Sequence, residues 1–315
     1  PERARTLKAI TKVLSPHVVA TPALLDLVDK ASDLYCCNPW DLLRSAIPPR
    51  VAAVDKELPV AHHETWAPQS KKPTVYQSFK PFLASHEQIS DIARDFMKSG
   101  SVLIVAPDER DIVAICAQLE RSAQPYLRID SALSRNDRYA NFLKARQEKN
   151  QIVIGSRSAI FAPLAPGATV IVFKESSPDL YEVRSPAWNA RDVAMMRKSI
   201  DSARVILCGY VPSLDVAALI DSKRIAYFNS NAKVSVKAFT PVDASLLPGR
   251  IFTDIRSNIS QGPVLFVLPR KGYANGILCA HCKNVALCSC GGRLHLTSKN
   301  ADPACRICGA LSKQW

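Results

Sequence analysis

Four runs of consecutive apolar, mostly β-branched residues punctuate the middle of this 315-residue chain: Val102–Ala106, Ile152–Ile154, Val170–Phe173 and Val205–Cys208. A strand with one wet face alternates polar and apolar side chains, whereas a strand buried on both faces reads as an unbroken apolar run. Amphipathic stretches lie between the runs, among them Glu109 to Arg121 and Arg135 to Glu148, the second behind a capping Ser134. Buried strands divided by helices predict an α/β fold with a doubly wound parallel sheet over residues 75–225.

Sheets of this kind bind nucleotides at the carboxyl ends of their strands, so the glycines matter. The first is Gly100, none of the eleven is followed by lysine, and no Gly-x-Gly occurs. Neither a phosphate-cradling Gly-Lys-Ser/Thr loop nor a dinucleotide fingerprint is therefore present. Where a first phosphate-binding turn would fall, the chain runs Lys80-Pro81-Phe82-Leu83-Ala84-Ser85. Ser85 with Gln88 forms a capping-box pattern, which predicts a helix start that satisfies itself without an anion.

Residues 1–60 predict a small helical or winged-helix module. Pro22 to Tyr35 has helical periodicity with Thr21 as N-cap, and a second helix, Asn38 to Ser45, stops before Ile47-Pro48-Pro49-Arg50. Residues 61–74, with the solvated pair His62 and His63, read as linker. From residue 226 to 268 the pattern predicts the start of a second sheet, with Val264–Leu268 as a buried strand.

Six cysteines crowd the end of the chain as Cys279-x-x-Cys282, Cys288-x-Cys290 and Cys305-x-x-Cys308. Pairs at this spacing let one knuckle of backbone present two thiolates to one ion, and two knuckles complete a tetrahedral zinc shell. Residues 269–315 are accordingly read as a zinc-binding module. The bland alternative is a set of disulfides or idle thiols. Cys36, Cys37, Cys116 and Cys208 sit in apolar surroundings and read as small buried hydrophobes.

The chain carries a formal charge of +13, and residues 269–315 hold seven basic side chains against one acidic. That balance favours a polyanionic partner such as nucleic acid, through counterion release, over a merely soluble basic surface. No run approaches the roughly 18 apolar residues of a membrane span, and the N-terminus lacks a signal peptide's apolar stretch. A cytoplasmic, nucleoid-associated chain with no membrane partner is expected. Pro1 stands where a starter methionine would, so upstream sequence is expected to precede it.

Ordered motifs along the chain carry a resemblance. They are Leu43-Arg44 through Pro48-Pro49-Arg50, then Gly155-Ser156-Arg157-Ser158-Ala159-Ile160-Phe161-Ala162-Pro163, Ala190-Arg191-Asp192-Val193-Ala194, Pro212-Ser213-Leu214, and Arg270-Lys271-Gly272-Tyr273-Ala274 before the first cysteine pair. In this order and spacing they resemble the primosomal protein N′ family of replication-restart DNA helicases, in its divergent actinobacterial branch. The resemblance implies a winged helix, a helicase-like first lobe and the start of a second lobe with an inserted zinc module. It also implies recognition of stalled or branched forks and recruitment of primosome components. Expected partners are branched or single-stranded DNA and primosome and single-strand-binding proteins, met by a monomer.

Departures from the family matter as much. Its Walker-A loop is absent, its Walker-B Asp-Glu-Glu-His falls on Lys174, Glu175, Ser176 and Ser177, and its Ser-Ala-Thr motif falls on Gly209-Tyr210-Val211. Lysine then stands where a magnesium-binding aspartate should, so no catalytic residue is assigned and a catalytically inactive lobe is expected. In the zinc region the resemblance matches Cys288, Cys290, Cys305 and Cys308 to one ion, and Cys279 and Cys282 to half of a second whose other half would lie beyond Trp315. His281 and His295 are alternative ligands but read better as bystanders.

For DNA the candidates are Tyr181, Arg184, Trp188 and Arg191, where rings between arginines suit base stacking, and the basic arm Arg270, Lys271, Lys283 and Arg293. The competing reading puts Tyr181 and Trp188 in the core, with the arginines paired to Glu182 and Asp192. Two further functions stay open: an active ATP-dependent 3′-to-5′ DNA helicase, and a zinc-ribbon adaptor acting through protein contacts.

Overall fold

The structure, a computed structural model, describes residues 9–60, 73–147, 150–230, 232–239, 249–267 and 273–312. The chain divides into two compact units, Pro1–Val234 and Ser235–Trp315.

The first unit begins with three helices, α1 (Pro22–Tyr35), α2 (Pro39–Ala46) and α3 (Ala52–Glu57). Thr21 caps α1 by accepting from Leu24 N–H, with Pro22 in the first turn, and Asn38 caps α2 the same way. No strand, and so no wing, lies among described residues 9–60. The three helices enclose no core of their own either: Leu24, Val28, Leu42 and Val54 join the core of the sheet that follows.

That sheet is built from β1 (Val75–Ser78), β2 (Val102–Val105), β3 (Tyr126–Ile129), β4 (Ile152–Gly155), β5 (Thr169–Phe173), β8 (Arg204–Gly209) and β9 (Ala226–Phe228). β6 (Tyr181–Glu182) and β7 (Trp188–Asn189) form a separate antiparallel pair. All seven strands run parallel in the order β3-β4-β2-β5-β8-β1-β9. Crossover helices α4 (Ser85–Met97), α5 (Glu109–Arg121), α6 (Arg135–Gln147), α7 (Ala190–Ile200) and α8 (Leu214–Asp221) connect them. Alternate strand residues feed two cores. Leu103, Val153, Val170 and Val205 face α1, α2, α6 and α7, while Ile104, Ile154, Ile171 and Ile206 face α4 and α5. Burial on both faces is why these strands lack polar alternation. Gly155 ends β4 against the short 3₁₀ helix Arg157–Phe161, and an added Cβ would sit 2.6 Å from the Ala159 Cβ, so only glycine fits.

Ser134 caps α6 as expected, its Oγ accepting from Asp137 N–H at 3.1 Å. The capping box at α4 is not formed. Ala84 occupies the N-cap, and Gln88 reaches past it to Lys80 N–H, Lys80 O and Leu83 O. Ser85 is instead the buried first residue of the helix.

The second unit opens with α9 (Gly249–Ile259), which buries none of its residues. The buried strand expected from Val264 is absent: residues 264–267 form no regular element and pair with no strand, Leu265 is 86% exposed, and Leu268 lies outside the described residues. Residues 273–312 form a set of short antiparallel pairings, including β10 (Leu294–His295) with β11 (Ala304–Cys305). Their core is only Ala286, Leu294 and Cys305, with Ile277 and Cys288 packed against it. So little apolar burial calls for a crosslink or a metal. Among the described residues, no helix is long and apolar enough to cross a membrane.

Candidate functional site

Two knuckles bring four thiols together in the second unit. Cys288, Cys290, Cys305 and Cys308 place their Sγ atoms within 4.8 Å of one another. The separations are 3.8 Å for Cys288–Cys308, 3.4 Å for Cys290–Cys305 and 3.5 Å for Cys290–Cys308. Disulfide sulfurs sit about 2.05 Å apart, so these are free thiols. Four sulfurs each about 2.3 Å from one central ion would be separated by about 3.8 Å, close to what is seen.

The backbone builds this shell. Gly291 and Gly309 take left-handed φ values of 81° and 72°, and their N–H groups close turns onto Cys288 O and Cys305 O. Gly292 has no room for a side chain, since a Cβ would lie 2.5 Å from the Cys305 sulfur. Backbone N–H groups of Cys308 and Ile307 point at that sulfur and push its thiol down to about 6. The neighbouring thiols push Cys290 up to about 11, so before a metal binds Cys305 is the thiolate and Cys290 holds the proton the metal would displace. The donor set and spacing fit one soft, tetrahedral metal ion.

Cys279 and Cys282 form a third knuckle outside this cluster. Lys283 N–H closes onto Cys279 O at 3.0 Å with Lys283 at φ 61°, the same turn that Gly309 makes behind Cys305. Among the described residues, no further Cys, His, Asp or Glu completes a group with this pair. His281 is exposed, and His295 stands on β10; neither joins the four thiols.

In the first unit, β1, β8 and β5 are neighbours, and their carboxyl ends lie on the side of the sheet where a nucleotide would be expected. Lys174 follows β5 with φ 50°, and its ammonium donates to Asp111 Oδ1 at 2.6 Å. His86 Nε2 lies 2.8 Å from the same oxygen. The side chain of Glu175 is fully buried, accepting from Ser213 N–H at 2.6 Å and Ser213 O–H at 2.9 Å, with Arg191 Nη1 at 3.6 Å. A lysine ammonium thus stands beside a carboxylate it neutralises, and both oxygens of Glu175 are taken. Asp111 and Ser213 were not legible as partners of Lys174 and Glu175, since both contacts are long-range.

The DNA candidates divide. Trp188 is 2% exposed and packs edge-on against Phe161 with ring centroids 5.1 Å apart, so it is a core residue and cannot stack on a base. Arg191 is buried among Asp192, Asp215 and Ser213, and has no free face for a phosphate. Tyr181, Arg184, Lys283 and Arg293 are exposed, while Arg270 and Lys271 lie outside the described residues. A groove of about 780 Å³ near the carboxyl ends of β2 and β4 is lined by Asp108, Glu109, Arg110, Arg157 and Asp179. Arg157 is already paired with Glu182, so the groove offers phosphates little net attraction.

No family model matches the chain. It is 28% identical over 346 residues to a probable replication restart protein PriA of Mycobacterium tuberculosis, covering 96% of this chain and 53% of that protein. The corresponding Mycobacterium leprae protein is 27% identical over 95% of this chain and 53% of its own length. A replication restart protein PriA of Rickettsia felis is 24% identical over 99% and 53%. The chain spans about half the length of these relatives. Among solved structures it resembles the E. coli DExH-box NTPase HrpB at 16% identity and a TM-score of 0.34, over 46% of this chain and 20% of that one. The C-terminal part of the Fun30 ATPase domain is similar at 16% identity and a TM-score of 0.30, over 56% and 54%. The chain is thus similar to replication restart proteins over nearly its whole length.

Proposed function

We propose that this chain serves replication restart as a non-hydrolysing DNA-binding scaffold, which recognises stalled or branched forks at the nucleoid and recruits primosome and single-strand-binding proteins. The observation that carries the loss of catalysis is Lys174, whose ammonium is paired to Asp111 where the family's magnesium-binding aspartate would act. A cation in that place opposes binding of a second cation, and catalysis of phosphoryl transfer rests on that metal. Similarity to proteins named for replication restart supports the biological role. The net charge of +13 supports a nucleic-acid partner.

Zinc is the ion we assign to Cys288, Cys290, Cys305 and Cys308. There it would hold residues 273–312 in shape, while the exposed Lys283 and Arg293 meet phosphates. Tyr181 and Arg184 offer a second, smaller contact on the first unit.

Titration of fluorescent forked DNA at several salt concentrations tests this reading. Lys283→Ala and Arg293→Ala should each weaken binding to every fork and duplex alike, and lower the slope of log affinity against log salt by about 1. Unchanged slopes, with no preference for a fork over plain duplex, would replace the scaffold with an adaptor that works through protein contacts.

A further inference from the structure

The loop after β8, Tyr210–Ser213, is tied down at both ends. At its start, Phe79 N–H donates to Gly209 O at 2.9 Å and Ser78 Oγ to Tyr210 O at 3.4 Å, while the Phe79 and Tyr210 rings meet edge-on at 5.6 Å. The Tyr210 hydroxyl donates to Leu83 O at 2.9 Å. That carbonyl belongs to the Lys80–Ala84 segment, which Gln88 holds from the other side. At the loop's end, both Glu175 oxygens are spent on Ser213, and Arg191 also donates to Ser213 Oγ at 3.0 Å. Ser213 in turn caps α8 through Val216 N–H.

A nucleotide whose phosphates reached these strand ends would meet this loop and the segment after β1. Here each is bonded to the other or to a buried carboxylate. Bonds to a charged acceptor inside the protein are the strong ones, and breaking this one leaves the buried carboxylate with only Arg191, 3.6 Å away. We infer that Glu175 is a positioning residue that locks the Tyr210–Ser213 loop, and that this internal latch holds the loop bonded to the segment after β1 whether or not nucleotide is present. The latch deepens the reading of the lobe as non-hydrolysing and rests on it.

Hydrogen–deuterium exchange on the full chain tests the latch, read on peptides covering Tyr210–Val216 and Lys80–Ala84. Glu175→Gln keeps the side chain's shape but presents an amide nitrogen to one of the two Ser213 donors. Exchange at Ser213 should quicken by about tenfold. Tyr210→Phe keeps the ring on Phe79 and should quicken exchange in the Lys80–Ala84 peptide alone. In the unmodified protein, magnesium and a non-hydrolysable ATP analogue should leave both peptides unchanged, a measurement that needs no variant to fold. Unchanged Ser213 exchange in the glutamine variant, or a nucleotide-dependent change in the unmodified protein, would overturn the latch. ATP turnover with the peptides still protected would instead defeat the non-hydrolysing reading and leave the latch standing.

Discussion

Replacing Cys305 by serine is expected to empty the four-thiol shell and unfold residues 273–312, leaving the sheet unit intact. The apolar core of the module is three buried residues, one of them Cys305 itself. Against that, a structural zinc ion in small thiolate modules supplies about 10–16 kcal/mol of binding free energy near pH 7, and that binding energy is the folding energy. Serine keeps the size of the side chain but offers an alkoxide precursor too weakly acidic to replace a thiolate. Metal analysis should fall from about one ion per chain to near none, and protease cleavage should begin within residues 273–312. Chelation of the unaltered protein should reproduce that cleavage pattern. A serine variant that keeps its full complement of metal would show that the ion sits elsewhere or that the cluster holds none.

Trp188→Ala should cost the sheet unit about 3–5 kcal/mol, the range for removing a large aromatic side chain from a packed core. Trp188 opens β7 and its indole packs against Phe161, which belongs to the Gly155–Pro163 motif segment, so the cavity opens beside that segment. Urea unfolding should show a lower midpoint with little change in slope. Forked-DNA affinity per folded molecule, measured well below the melting range, should stay where it was. A weakened affinity with unchanged stability would return Trp188 to the DNA surface.

The sheet was legible because strands buried on both faces need apolar residues throughout, and Val102–Ala106 or Val170–Phe173 have no other economical reading. Caps such as Thr21 and Ser134 were legible because their chemistry is local. Strand β3 was not, since Tyr126, Leu127 and Arg128 are only half buried and leave no continuous apolar run. Val264–Val267 has the composition of a buried strand but no strand beside it, and composition cannot report a missing neighbour. The Ser85–Gln88 spacing suggested a cap, yet Gln88 is long enough to reach Lys80 and Leu83, and those partners won. At the hairpin of β6 and β7, aromatic and basic residues alternate in the same way whether the rings stack on bases or on the core. Tyr181 and Trp188 then resolve in opposite directions, one exposed and one buried. Cysteine spacing marked three knuckles, because such turns are short-range, but not which two meet; the family resemblance paired Cys288 and Cys290 with Cys305 and Cys308, and those four thiols cluster. Asp111, 63 residues from Lys174, belongs to a contact that only the folded chain makes.

The proposed scaffold role requires a sheet unit that hydrolyses no ATP. Steady-state ATP turnover by the purified chain, with magnesium and saturating forked DNA, tests it most directly. Phosphate release is expected to be no faster than in the protein-free control, with none gained from adding DNA. Fork-stimulated turnover that disappears on Lys174→Ala or Glu175→Gln would contradict it.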